Sequence, residues 1–195
     1  MHIKLNQDNF IQNASLEIDI KLDTGMSVLL FGENGVGKSS LLQLLKLKQK
    51  DIFPNKVCRF IDQPKLMPLN EINFVQMREQ LKSYRSEESP LFDEFYPYVE
   101  GYDLTPLKKL SGGQNQMVKI LFSLYLGGDI FFFDEPVQNL DDQNTKNFAC
   151  VLEGLKLKGK SCLVIEHQSE IVRKLCQKTY QLVNEDHTIK SRLYV

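Results

Sequence analysis

The sequence predicts an α/β fold: a mostly parallel sheet, N-terminal antiparallel strands and a small helical subdomain. Three observations predict it. Met26-Ser27-Val28-Leu29-Leu30-Phe31 is a short apolar run that leads through a glycine-rich loop into Leu41-Leu42-Gln43-Leu44-Leu45, the order of a buried parallel strand followed by a helix. From residue 110 onward, apolar strands again alternate with helical stretches, the pattern of layered α/β domains. Ahead of both, Ile3 and Leu5, then Leu16, Ile18 and Ile20, alternate with polar residues, as half-buried antiparallel strands do.

Taken in order, Asp23-Thr24-Gly25 supplies a turn before the central strand. The loop after it, Gly32-Glu33-Asn34-Gly35-Val36-Gly37-Lys38-Ser39-Ser40, fits G-x-x-x-x-G-K-[ST], the phosphate-binding loop of P-loop nucleotidases. The chemistry requires this composition. Glycines at 32, 35 and 37 can take positive φ and turn successive N–H groups onto a polyphosphate. Lys38 brings a point charge to the terminal phosphates, the Ser39 hydroxyl is a ligand for Mg²⁺, and the helix starting near Lys38 adds its dipole. Gly32, Asn34, Gly35, Gly37, Lys38, Ser39 and Ser40 are therefore the candidate nucleotide-binding positions of a P-loop NTPase core.

Val57-Cys58-Arg59-Phe60-Ile61 reads as the second strand of the parallel core, ended by Asp62-Gln63-Pro64. Residues 70–84 read as one amphipathic helix, broken by Glu87-Glu88-Ser89-Pro90 before an aromatic stretch of Phe92, Phe95, Tyr96, Tyr98 and Tyr102. Residues 65–109 thus form the helical subdomain, and 1–64 with 110–195 the nucleotide-binding core. Further helices are expected at 111–126, 142–157 and 168–177, with a strand at 161–165 and a closing hairpin of 179–183 and 188–193 around Asn184-Glu185-Asp186.

Between these helices lies a second chemical element, Ile130-Phe131-Phe132-Phe133-Asp134-Glu135-Pro136. It sets Asp134 at the carboxyl end of a buried strand, the edge at which open α/β sheets bind ligands. An aspartate there can hold, through its water shell, the Mg²⁺ bound by Ser39, and Glu135 can orient and polarise an attacking water.

Leu110-Ser111-Gly112-Gly113-Gln114, together with the phosphate loop and Asp134-Glu135-Pro136, resembles the nucleotide-binding domain of the ATP-binding cassette (ABC) superfamily over essentially the whole chain. Ser111, Gly112 and Gly113 open a helix and so form a second anion-binding terminus. The resemblance implies that Ser111, Gly112, Gly113 and Gln114 cap the γ-phosphate of ATP held by a partner domain, in a head-to-tail homodimer with ATP and Mg²⁺ in the interface. It also implies roles for Gln63 as the Q-loop glutamine near Mg²⁺ or water, for Asp141 of Leu140-Asp141 in the D-loop, and for His167 as the switch histidine. Glu135, His167 and Gln63 are then the catalytic set, and Ser39, Gln63 and Asp134 the metal set.

The chain departs from the family pattern in places. Only His2 and Phe10 precede the loop where an adenine-stacking aromatic is common, and Phe10 aligns with an apolar strand position. The usual arginine is missing after Gln114, Val137-Gln138-Asn139 replaces small hydroxyl residues, and Glu166 stands before His167 where threonine or serine is frequent.

Composition bounds the function. The 195 residues suffice for one domain with a sizeable core, and a net charge of −1 argues against a nucleic-acid partner. Cys58, Cys150, Cys162 and Cys176 have no metal-ligand spacing and read as buried thiols of a reducing compartment. With no apolar run of membrane-spanning length and no leader pattern at Met1-His2-Ile3-Lys4, the expected location is cytoplasmic, peripheral on a membrane's inner face. Three functions follow from the resemblance: the ATPase subunit of a transporter driving a separate membrane permease, a soluble cassette acting on translation, DNA ends or cluster assembly, and a regulatory cassette that signals without moving a solute. Soluble types tend to carry two cassettes, a coiled-coil insertion or basic patches, none of which is visible. The aromatic stretch is either the permease-binding surface or the core of the helical subdomain.

Overall fold

The computed structural model describes residues 1–11, 14–61, 71–85, 89–167 and 170–194, except the side chain of Asn9. Eight strands form one mixed sheet: β1 (His2–Ile11), β2 (Ala14–Lys21), β3 (Ser27–Gly32), β4 (Cys58–Ile61), β5 (Ile130–Asp134), β6 (Ser161–Ile165), β7 (Lys178–Glu185) and β8 (Thr188–Tyr194), in the order β1-β2-β8-β7-β3-β6-β5-β4. The strands from β7 through β4 are mutually parallel, while β1–β2 and β7–β8 are antiparallel hairpin partners. β2 joins the two halves by pairing in parallel with β8 through Leu16 and Ile189.

The longer helices are α1 (Lys38–Leu47), α5 (Gly112–Leu126) and α6 (Asp142–Leu157). The shorter ones are α2 (Gln49–Ile52), α3 (Phe74–Gln80), α4 (Pro90–Phe95) and α7 (Glu170–Leu175). Side-chain alternation along the sheet splits the core in two. On one face Leu29, Phe131, Phe133, Cys162 and Val164 meet α5, α6 and the aromatics of α3 and α4. On the other, Val28, Leu30, Ile130, Phe132, Leu163 and Ile165 meet α1 and the β1–β2 hairpin. β5 is buried at every position, as a central parallel strand covered on both faces must be.

Several expectations are corrected. β4 joins the parallel core as expected, but as its edge: among the described residues it pairs with β5 alone, and Cys58, Arg59 and Phe60 are half-exposed. The helix expected over 70–84 begins at Phe74, where Asn73 and Gln76 form a reciprocal capping box, and gives way to a 3₁₀ turn at Lys82–Tyr84. The last hairpin turns at Asp186-His187, both at positive φ, because a two-residue turn between right-twisted strands requires it. Of the cysteines only Cys162 is buried, and Cys150 is exposed. Phe92 and Phe95 point inward and are almost wholly buried.

The junction of α4 with α6 is tight. A Cβ on Gly154 would lie 2.7 Å from two ring atoms of the buried Phe95. Gly154→Ala normally gains about 1 kcal/mol in a helix interior. Here overpacking, at about 1–3 kcal/mol, outweighs it. The expected outcome is a net loss of about 1 kcal/mol, read as a lower urea midpoint with unchanged slope.

Candidate functional site

Register brings three strand ends side by side. Leu30 of β3 is paired with Ile165 of β6, and Ile165 with Asp134 of β5. The residues that follow, Phe31-Gly32, Glu166-His167 and Glu135, therefore emerge next to one another at the carboxyl edge of the sheet. Two hydrogen bonds lock the row: Glu166 N–H donates to Leu30 O at 3.1 Å and Glu135 N–H to Ile165 O at 2.8 Å.

The loop leaves β3 through Gly32 and enters α1 at Gly37, which takes φ 108° and leaves the first helical turn with no side-chain cap and no acid. Gly35 and Gly37 have positive φ; Gly32 does not. Its reason is space, since a Cβ there would stand 2.7 Å from Leu182 O. Lys38 is buried, and its Nζ donates to Gly32 O at 2.8 Å and to Glu33 O at 2.9 Å. Its ammonium is 3.5 Å from His167 Nδ1, and His167 Nε2 is 2.8 Å from Glu135 Oε1. With an ammonium against Nδ1, the imidazole accepts there and donates through Nε2 to the carboxylate. Burial lowers the Lys38 pKa, opposed by Glu135, Asp134 and Glu166. Glu135 itself sits at φ 47°, a left-handed conformation unusual for a non-glycine residue, directly after the strand.

Asn34, Ser39 and Ser40 are exposed at the loop and the first turn of α1. A polar cleft of about 540 Å³ at the loop is lined by Phe31, Gly32, Glu33, Asn34, His167 and Gln181. Ser111, Gly112, Gly113, Gln114 and Asp141 belong to a separate group. Ser111 caps α5, accepting from Gln114 N–H at 3.2 Å while Gln114 Oε1 accepts from Ser111 N–H at 3.0 Å. Asp141 caps α6 by accepting from Asn144 N–H at 2.8 Å. Gly113 abuts this second segment, where a Cβ would lie 2.8 Å from Asn139 O. Gln63 lies outside the described residues.

The donor chemistry fits an anion with a hard divalent cation. An uncapped helix N-terminus and a lysine face the anion, while three buried or nearly buried carboxylates, Asp134, Glu135 and Glu166, surround that single ammonium. Among the described residues no group of three His, Cys, Asp or Glu could cage a metal alone. Mg²⁺ takes one or two protein oxygens plus phosphate and water, and Ser39 and Asp134 carry oxygens of that kind at this end of the sheet. Two residues that the sequence marked only as departures from the family pattern stand out here. Phe10, half-buried, lies beside the loop, its ring 3.8 Å from a Cβ placed on Gly37, whereas His2 pairs with Asp19 at the other end of β1. Glu166 was legible only as a departure from family pattern; its approach to Lys38 depends on strand register.

A phosphate loop entering a helix from the central strand, with carboxylates on the next strands, defines a P-loop nucleotide-hydrolase fold. The ABC transporter family model matches residues 16–138, well over half of the chain, and the protein belongs to that family as an ATP-binding cassette ATPase domain. It is 28% identical over 187 residues to an uncharacterized ABC transporter ATP-binding protein of Methanocaldococcus jannaschii, covering 82% of this chain and 83% of that protein. It is 27% identical to a macrolide export ATP-binding/permease protein of Chlorobium phaeobacteroides, covering 85% of this chain and 29% of that protein. Among solved structures, an archaeal ribosome recycling factor in complex with a ribosomal stalk protein superposes with a TM-score of 0.78 at 21% identity, over 96% of this chain and 42% of the other. That likeness is one of fold. Among the described residues no helix is long and apolar enough to cross a membrane.

The buried acid gives a test of its own. Burial first, then Glu135, raises the Glu166 pKa from 4.5 to about 7, opposed by a hydrogen bond from the His167 backbone. The folded state thus keeps a proton that the unfolded chain has lost, so stability falls as pH rises from about 4.5 to about 7 and is level above it. Glu166→Gln removes that loss, and in metal- and nucleotide-free protein its stability relative to wild type should be higher at pH 8 than at pH 5. The difference should reach at most about 3 kcal/mol in urea titrations.

Proposed function

We propose that this chain is the ATP-binding and ATP-hydrolysing subunit of an ABC transporter, driving a separate membrane permease by ATP-dependent head-to-tail dimerisation. The observation that carries the reading is the convergence of Lys38, His167 and Glu135 beside the uncapped start of α1. The family pairs such domains with permeases, and the macrolide relative carries an ATP-binding and a permease part under one name.

In this reading the N–H groups of Gly35, Gly37, Lys38, Ser39 and Ser40 cradle the phosphates, and Asn34 borders them. Lys38 exchanges the carbonyls of Gly32 and Glu33 for phosphate oxygens. Phe10 is an aromatic side chain beside Gly37, available to the base. Ser39 and Asp134, with Gln63, would hold Mg²⁺, which when bound offsets charge on the β- and γ-phosphates. Glu135 orients water and accepts its proton, and His167, which donates to Glu135, aligns that carboxylate with the γ-phosphate. Residues 65–109 form the helical subdomain that carries the motion to the permease, on the cytoplasmic face of the membrane.

The second terminus requires another chain. Ser111 and Gly112 are exposed at the start of the fifteen-residue α5, so its N-terminal dipole faces outward. Two copies related by a twofold axis can each lend Ser111, Gly112, Gly113 and Gln114 to the other's ATP, with Asp141 crossing the interface. Without nucleotide the apposed Asp134, Glu135 and Asp141 carboxylates repel.

Glu135→Gln is expected to keep ATP binding and lose at least about 10²-fold in turnover. That variant should be a dimer in saturating Mg-ATP and a monomer without nucleotide, by analytical ultracentrifugation. Gly112→Asp should abolish the ATP-bound dimer while sparing ATP affinity. A Cβ at Gly112 meets only Asn139 Cβ at 3.7 Å, so the fold accommodates the change. Wild-type turnover in Glu135→Gln, or a dimer that survives Gly112→Asp, would overturn the reading.

A further inference from the structure

The far end of α5 is held by two arginines from different parts of the chain. The helix has no basic residue in its last turn, so its own side chains leave the negative end of its dipole unanswered. Arg59 of β4 donates through Nε to Gly127 O at 2.5 Å and through Nη2 to Leu126 O at 2.8 Å. Arg85, just past the 3₁₀ turn at Lys82–Tyr84, donates through Nε to Tyr125 O at 3.2 Å and sets its guanidinium 4.9 Å from the centre of the Tyr125 ring. Three successive carbonyls are thereby gripped by two guanidinium groups, one reaching from the sheet and one from the helical subdomain. Among the described residues neither arginine makes an ion pair with a carboxylate, so the helix end is the partner of both charges.

A cap is present without them: Gly127, at φ 67°, donates its N–H to Leu124 O at 3.0 Å. What the arginines add is a fixed place for the helix end. Arg59 stands on a tethered strand, because Asp129 N–H donates to Val57 O at 2.8 Å, Val57 N–H donates to Asp129 Oδ2 at 2.9 Å, and Phe60 stacks on Phe132. Gly128 leaves room for its stem, since a Cβ there would lie 3.0 Å from Arg59 Cγ. On the other side Tyr125 Oη donates to Arg78 O at 3.2 Å, joining the same turn of α5 to α3. A fifteen-residue helix is about 22 Å long, so a tilt of about 5° about this end moves the other by about 2 Å. That exceeds the span over which a hydrogen bond to phosphate survives. The end so displaced is the one that Ser111, Gly112 and Gly113 open.

We propose that Arg59 and Arg85 are positioning residues for the second phosphate site. By holding the C-terminal carbonyls of α5 from the sheet and from the helical subdomain, they set where Ser111, Gly112 and Gly113 meet the triphosphate carried by a second copy of this chain. This rests on the head-to-tail dimer described above. Neither arginine touches nucleotide in this role; each acts through α5. The fork of the guanidinium matters, because Arg59 spans two carbonyls that a single ammonium cannot bridge with the same geometry.

Analytical ultracentrifugation of the Glu135→Gln protein in saturating Mg-ATP, by itself and combined with Arg59→Ala, Arg59→Lys or Arg85→Ala, tests it. ATP affinity is titrated at protein concentrations that keep the chain monomeric, and thermal unfolding shows which variants are folded at the assay temperature. Arg59→Ala and Arg85→Ala should each raise the dimer dissociation constant about 10-fold, the scale of a change in coupling between sites, with monomer ATP affinity within about twofold of the parent. Arg59→Lys should fall between Arg59→Ala and the parent. A merely structural role would lower the unfolding temperature and leave dimerisation of the folded protein where it was. A parent-like dimer constant in either alanine variant, a matching loss of monomer ATP affinity, or an Arg59→Lys no better than Arg59→Ala would each overturn the proposal. If the parent dimerises and the alanine variants do so equally well, the proposal alone falls. If the Glu135→Gln parent stays monomeric in Mg-ATP, the head-to-tail reading falls and takes the proposal with it.

Discussion

The structure turns on keeping one ammonium buried at the edge of a parallel sheet. Lys38 is almost wholly inaccessible, yet it remains hydrogen-bonded to two carbonyls of its own loop and lies within the field of Asp134, Glu135 and Glu166. A buried cation without such partners would shed its proton. The partners come from three different strands, so their placement is a matter of register. A slip by one residue in β5 or β6 would send the carboxylates to the opposite face and leave the lysine unmatched.

Register is in turn fixed by the two-sided core. Alternate residues of β3, β5 and β6 supply opposite apolar clusters, one closed by α5 and α6 and the other by α1 and the β1–β2 hairpin. Neither face can absorb a displaced strand, because both are filled. The stacked Phe60–Phe132 pair, 4.4 Å between centroids, and the edge-on Phe133–Phe148 pair, at 5.2 Å, pin β5 from either side. The packed interior therefore acts on the chemistry at its rim. Glu135 can hold its left-handed backbone because the strand beneath it cannot shift.

What the sequence disclosed follows from how local each signal is. The phosphate loop, the apolar strand ending in Asp134-Glu135 and the Ser111 helix start are contiguous patterns whose chemistry is carried by neighbours in the chain, and each is found where those patterns put it. The capping box at Asn73 and Gln76 was equally local, though amphipathic periodicity concealed it. Other features depend on partners far away in sequence. That β4 is the sheet edge follows from strand order alone. Gly32 is glycine because Leu182 O approaches it from β7, not because its φ is positive. Phe10 reads as an ordinary strand residue until the end of β1 is seen against Gly37. Glu166 looks like a substitution in a familiar pattern until β6 is laid between β3 and β5.

The two long helices that begin near functional motifs, α1 and α5, differ in how their first turns are satisfied, and the difference bears on how they can act. α1 has no side-chain cap, so its leading N–H groups depend on a ligand or on water. α5 is capped by its own Ser111 and Gln114, so two of its leading N–H groups, those of Ser111 and Gln114, are already engaged. In the proposed dimer a phosphate at the second terminus would meet the N–H groups of Gly112 and Gly113 instead. The second terminus is also not free to move alone. Gly113 sits against Asn139 with no room for a side chain, and two residues on, Asp141 caps α6. Asn139 follows Glu135 by one short turn, closed by Gln138 N–H donating to Glu135 O at 3.3 Å. The start of α5 and the backbone that follows the carboxylate are therefore in direct packing contact.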